Sequence, residues 1–242
     1  AQDGDRLLGA FNVPMPHWLD FFCYTMFVDR DGKFQLGMLS TSAFKPLAAS
    51  MGPMLKEEAF HLGTGFNGLR RIIKAGVLPL DLLQRYINKW VSTAHDLFGV
   101  DASSSAHWAY VWGVKGRWDE RKKLEAGIEV DKATLNEESR GHYHDEIAGE
   151  IRKLCGYLPE DTPKLYVPHE NFNRKIGAAK GQKFNVDGTS FDGSDEDWAD
   201  YLHNILPRDQ DEIDLEEIFK QEWIANKPMS TRQIESGIGI SA

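Results

Sequence analysis

The segment PMLKEEAFHLGTGF, residues 53–66, places Glu58 and His61 one helical turn apart. Met51, Leu55, Leu62, Leu69 and Ile72 recur at spacings of three, four and seven, an apolar stripe of helical period, and Glu58 falls on it. A carboxylate on a buried face needs a positive partner, because burying an unpaired charge is costly. A carboxylate and an imidazole projecting from one helix face are also the donors with which helix bundles hold paired iron or manganese ions. The bare spacing is weakly informative. With 37 acids and 8 histidines, about one acid-x-x-His arises by chance in a chain of this length. A second pair, Asp200 and His203, lies in an acidic stretch and reads as solvated surface. From the residues alone two readings of Glu58 and His61 stay open: metal donors, or a helix rotated so that both face water.

Asp29 is the only acid on the Phe22/Met26 stripe if that segment is helical; otherwise it is a turn residue in DRDG. A calcium loop is excluded there, because Lys33 stands at the fifth loop position and Ser40 at the twelfth. The cluster HYHDE, with His142, His144, Asp145 and Glu146, reads as a charged helix surface. HENFNRKIG sets His169, Arg174 and Lys175 in a proline-bounded loop, with a surface loop as the default and a phosphate contact as the functional reading. No glycine-rich phosphate loop, nucleophile elbow or cysteine-based centre occurs.

The elements that must position these residues are unevenly legible. FFCYTMFV, DRDG and KFQLGML read locally as strand, turn and strand. A helix would align Leu19, Phe22, Met26, Asp29, Leu36 and Ser40, but Gly32 would cost it about 1 kcal/mol against alanine. The local pattern favours the hairpin. Residues 43–75 read as a helix with a break or kink near Met51–Gly52, ahead of Pro53. Residues 79–98 form another, opened by Pro79 and stopped by Gly99. DASSS offers caps for a helix over about 104–125, and residues 135–155 carry Ile147, Ile151 and Leu154 on one side. After Leu158 come prolines, a hairpin signal at Asp187-Gly188, a short helix capped by Ser194, an acidic and partly helical stretch, and a loosely structured tail over 230–242.

Hydrophobic residues at 41% and charged residues at 27% describe an ordinary soluble chain. A net charge of −9 argues against a general nucleic-acid surface. Cys23 and Cys155 make neither a disulfide framework nor a zinc knuckle and fit a reducing cytoplasm. The densest apolar run, WLDFFCYTMFV, is too short to span a bilayer, so no membrane partner is expected. The opening AQDGDRLLGAF lacks an initiator Met and reads as part of a longer polypeptide.

Taken in order, LLGAFN…PHWLDFF, DRDGKFQL, MLKEEAFH, YINKW…DLFG, GVKGRWDE and PHENFNRKIGA resemble the oxygenase components of the benzoyl-CoA 2,3-epoxidase family. These are class I di-iron monooxygenases related to the phenylacetyl-CoA epoxidases. The likeness runs from residue 7 to about residue 200 and is densest over 17–61. It implies a mainly α fold: half of a ferritin-like di-iron helix bundle over 1–125, an additional helical segment over 126–158, and an irregular C-terminal region with a short β-hairpin over 159–242. It also implies one long helix through Asp29, with Asp29, Glu58 and His61 as the metal ligands of one half-site and Glu57 pointing off their face. Two Fe ions and O2 would serve as cofactors, with no flavin or nicotinamide bound directly. The implied reaction is epoxidation of the 2,3-bond of benzoyl-CoA or a related aryl-CoA, with electrons from a separate NADPH-dependent flavin/Fe–S reductase. Arg174 and Lys175 would then help to hold the CoA phosphates. The chain departs from the family pattern in carrying no second lone carboxylate and Glu-x-x-His upstream. Alone it is therefore expected to be inactive as an epoxidase. The alternatives are a di-iron oxygenase for another aryl-CoA and a ferritin-like iron-binding protein without oxygenase activity.

Overall fold

A computed structural model of the chain describes residues 9–116, 120–129 and 134–220. Residues Ala1–Pro207 form one compact unit and Arg208–Ala242 a second. The described residues are mainly α-helical.

The first unit is organised around a continuous helical segment from Trp18 to Leu39. It comprises α1 (Trp18–Cys23), a π turn (Tyr24–Val28) and α2 (Asp29–Leu39). The hairpin favoured by the local pattern does not form. Leu19, Met26, Phe27 and Phe34 are all buried, and that burial outweighs the turn propensity of DRDG. α3 (Lys45–Ala75) packs along this segment and runs unbroken through Pro53. The carbonyl deprived of its donor by Pro53 is that of Ala49, on an exposed stretch where water can serve it. Gly76 ends α3 in the left-handed region at φ 67°.

α4 (Leu80–Leu97) begins after Pro79 and packs on α1 and the π turn, with its Tyr86, Trp90 and Val91 buried and Trp90 against Tyr24. The helix expected over 104–125 is instead divided. α5 (Ser104–Val111) opens on Ser103, whose hydroxyl accepts from Ala106 N at 3.2 Å, and it stops before Gly113 at φ 66°. The Gly113 carbonyl then accepts from Ala43 N at 2.7 Å, which no helical path allows. α6 (Glu120–Glu125) follows as a separate turn-length helix.

α7 (Leu135–Cys155) contacts α2 and α3. Its Tyr143 is fully buried and donates its hydroxyl to Phe27 O at 3.0 Å. Beyond it the chain is irregular up to α8 (Asp195–Ile205), which Ser194 caps as expected, with Asp197 completing a capping box. At Asp187-Gly188 the chain reverses with one isolated antiparallel bridge, Phe184 to Ser190; among the described residues this is not extended into a strand pair. In the second unit α9 (Asp209–Phe219) is described, and the tail over 230–242 lies outside the described residues. No helix among the described residues is long and apolar enough to cross a membrane.

Candidate metal centre

α2 and α3 bring three donors to one place. Asp29 is the first residue of α2, and Glu58 and His61 are one turn apart near the middle of α3. One ligand atom from each lies within 4.8 Å of the others. His61 Nδ1 is 3.8 Å from both Asp29 Oδ2 and Glu58 Oε2. Asp29 and Glu58 are mostly buried, whereas the His61 side chain is 48% exposed. One side of the group is therefore open.

The electrostatics leave the group short of positive charge. Burial, reinforced by the neighbouring Glu58 carboxylate and opposed by His61, pushes Asp29 up to about 6. Burial likewise raises Glu58, against the pull of His61. Glu58 Oε2 is buried and has no hydrogen-bond partner; at 3.8 Å the His61 ring is too far to provide one. Arg30 and Lys33, which follow Asp29, are both taken by Glu146 of α7: Arg30 in a short ion pair and Lys33 at 2.6 Å.

These observations fit a divalent metal ion. Two donors each about 2.1 Å from one ion lie at most about 4.2 Å apart, little less than the spread seen. Two carboxylates and an imidazole are a donor set suited to iron, manganese or zinc. An ion among them would both offset the two crowded carboxylates and occupy the orphaned Glu58 oxygen.

A family described as phenylacetic acid catabolic protein matches residues 4–171. The chain belongs to this family. It is 33% identical over 254 residues of alignment to benzoyl-CoA oxygenase component B of Aromatoleum evansii, covering 88% of this chain and 53% of that protein. It is 24% identical over 177 residues to one of the subunits of 1,2-phenylacetyl-CoA epoxidase from Escherichia coli (strain K12), covering 72% of this chain and 51% of that protein. The chain thus spans about half the length of both relatives. The family match runs through all three donors of the group, Asp29, Glu58 and His61.

The remaining sequence candidates fall elsewhere. Asp200 and His203 are exposed on α8. In HYHDE, His142 and Asp145 are exposed, as expected of a helix surface, whereas His144 and Glu146 are only partly exposed. His144 stacks on the fully buried His95 at 5.4 Å, and Glu146 clamps α2. Arg174 is buried. Its Nε donates to Asp96 Oδ1 at 2.5 Å and its terminal nitrogens to the carbonyls of Glu170 and His95. That guanidinium is committed to fixing the 170–175 loop on α4, which leaves it ill-suited to a phosphate. The Lys175 ammonium donates to the Asn173 side chain at 2.8 Å.

Sequence reasoning missed a polar chain beside the site. Asp31 accepts from Gln35 at 3.1 Å, Gln35 accepts from Lys115 at 2.9 Å, and Lys115 also donates to Asn136 at 2.9 Å. Burial pushes Asp31 up to about 7, against the pull of Gln35 and Lys115. Its members come from three separated segments, so no spacing in the sequence announces it.

Proposed function

We propose that Asp29, Glu58 and His61 form one half of a di-iron site in an oxygenase acting on an aryl-CoA. The observation that carries this reading is the convergence of two mostly buried carboxylates and a half-exposed histidine, with one Glu58 oxygen lacking a hydrogen-bond partner. The substrate class is supported by family membership, since the relatives include a benzoyl-CoA oxygenase component and part of a phenylacetyl-CoA epoxidase.

Asp29 and Glu58 bring two negative charges, which match one divalent ion. α3 fixes Glu58 and His61 relative to each other, because residues three apart share a helix face. The half-exposed His61 leaves the open side of the group to further donors and reactants. Iron held there would supply the redox chemistry that activates O2, one oxygen atom going to the 2,3-bond of the CoA-activated ring and the other leaving as water. Electrons would come from a separate NADPH-dependent reductase, since the sequence carries no flavin, nicotinamide or Fe–S motif.

Two carboxylates and one histidine are half of the donor set that a helix bundle gives to a paired-metal site. The 242-residue chain by itself is therefore proposed to hold at most one iron and to be inactive as an epoxidase. The test is to load the purified chain with ferrous iron anaerobically, then assay benzoyl-CoA oxidation with the reductase. About one iron per chain with no turnover is expected. Turnover comparable to that of an oxygenase with both half-sites would contradict the half-site reading.

A further inference from the structure

The helical segment that carries Asp29 is not uniform. Between α1 and α2 the Asp29 N–H donates to Tyr24 O, five residues back, which closes a π turn. A π turn holds about one residue more than an α turn, and one residue is about 100° of rotation for everything beyond it. The two helices it joins are fixed to different neighbours. Asp20 of α1 accepts from Lys89 Nζ at 2.6 Å and from Trp90 Nε1 at 2.8 Å, both on α4. Arg30 and Lys33 of α2 are held by Glu146 of α7. The π turn is the joint at which these two registers are reconciled, and Asp29 is the first residue beyond it.

Two features hold the joint. Thr25 Oγ1 lies 3.0 Å from Phe21 O and 3.2 Å from Phe22 O and donates to this carbonyl pair, which satisfies backbone at the start of the turn. Gly65 of α3 seats the turn. A Cβ there would stand 2.5 Å from Met26 N and 2.8 Å from Thr25 Oγ1, so only glycine allows the two backbones to approach this closely. Gly65 is one turn past His61 and two past Glu58 on the same face of α3.

We propose that the π turn, held by Thr25 and seated on Gly65, sets the direction of Asp29 toward Glu58 and His61. Thr25 and Gly65 are thus positioning residues for the donor group. The consequence for metal binding rests on the metal-donor reading above; the consequence for geometry does not. The two are measured separately. In the first arm, Co2+ is titrated into the 242-residue chain and followed by its visible absorption. Thr25→Val, which keeps the shape and removes the donor, is expected to weaken binding about tenfold, as is Gly65→Ala. Thr25→Ser, which keeps the hydroxyl, should stay within about twofold of the parent. Ile151→Val, a mild core change in α7, controls for destabilisation alone and should leave affinity unchanged. In the second arm no metal is present. D29C/H61C in a Cys155→Ser background is treated with a short bis-thiol-reactive bimane, and the cross-linking rate is expected to fall several-fold when Thr25→Val or Gly65→Ala is added. Parent-like Co2+ affinity and cross-linking in both Thr25→Val and Gly65→Ala would overturn the proposal. A parent chain that binds no Co2+ while cross-linking still falls would overturn the metal reading and support the positioning role.

Discussion

Gly32 of α2 lies directly against Glu58 of α3: a methyl group on Gly32 would stand 3.2 Å from Glu58 Oε1. The glycine that argues locally against a helix is therefore the residue that makes room for a donor. Gly32→Ala should remove the glycine penalty of up to about 1 kcal/mol and raise stability. It should also displace the Glu58 carboxylate, the free end of a flexible side chain, and weaken metal binding several-fold. Thermal melting and a metal titration on the same variant check both halves. A stabilised variant with unchanged metal affinity would mean that Glu58 is not held where it binds.

Glu58 and His61 stood out as an acid and a histidine one turn apart beside an apolar stripe, but the residues alone left open whether they are metal donors or face water. Asp29 was not legible from local pattern. DRDG is a strong turn signal, and the long-range packing of Phe27 and Phe34 that overrides it lies outside any local window. Only the family resemblance carried a helix through it. The π turn was invisible, since it follows from reconciling two packing registers rather than from a propensity. Glu146 looked like solvent-facing charge because its partners Arg30 and Lys33 are more than a hundred residues away. The division between α5 and α6 turned on Gly113, whose left-handed backbone the caps at DASSS do not foretell.

The clamp on α2 makes its own prediction. The Arg30 side chain is 6% exposed and Glu146 is 27% exposed. Burial works to raise Glu146, but its bonds to Lys33 and Arg30 win and hold it below the usual glutamate value. Glu146→Ala would leave the Arg30 charge buried without its partner, at a cost of about 2–3 kcal/mol, less than for a fully buried pair because Glu146 is partly solvated. Glu146→Gln should cost less, since it keeps an acceptor. Urea denaturation of the two variants measures the difference, and equal stabilities for Glu146→Ala and the parent would show that the clamp contributes nothing.

Acid sensitivity should have a histidine component. His95 is fully buried, packs against the rings of Tyr143 and His144, and is held well below its ordinary value of 6.5 by burial first and then by the electrostatic influence of His144, Arg174, Arg140 and His169. Because the folded value is depressed, the unfolded chain binds the extra proton as pH falls below about 6.5. The contribution is fully present above that pH and is lost as pH drops toward the folded value. His95→Phe, which keeps a ring against Tyr143, should flatten the fall in stability between about pH 6.5 and 5. Parallel stability–pH curves for the two proteins would rule out this role.

If Asp29, Glu58 and His61 bind a metal ion together, anaerobic equilibrium titration with ferrous iron will show it. The parent chain should bind saturably, with one ion per chain. Asp29→Asn, Glu58→Gln and His61→Ala should each weaken binding at least about tenfold, while the double change D200N/H203A on α8 should leave it unaltered. Binding that is indifferent to all three donor changes, or that is abolished by the α8 change, would show that these three side chains do not hold the ion.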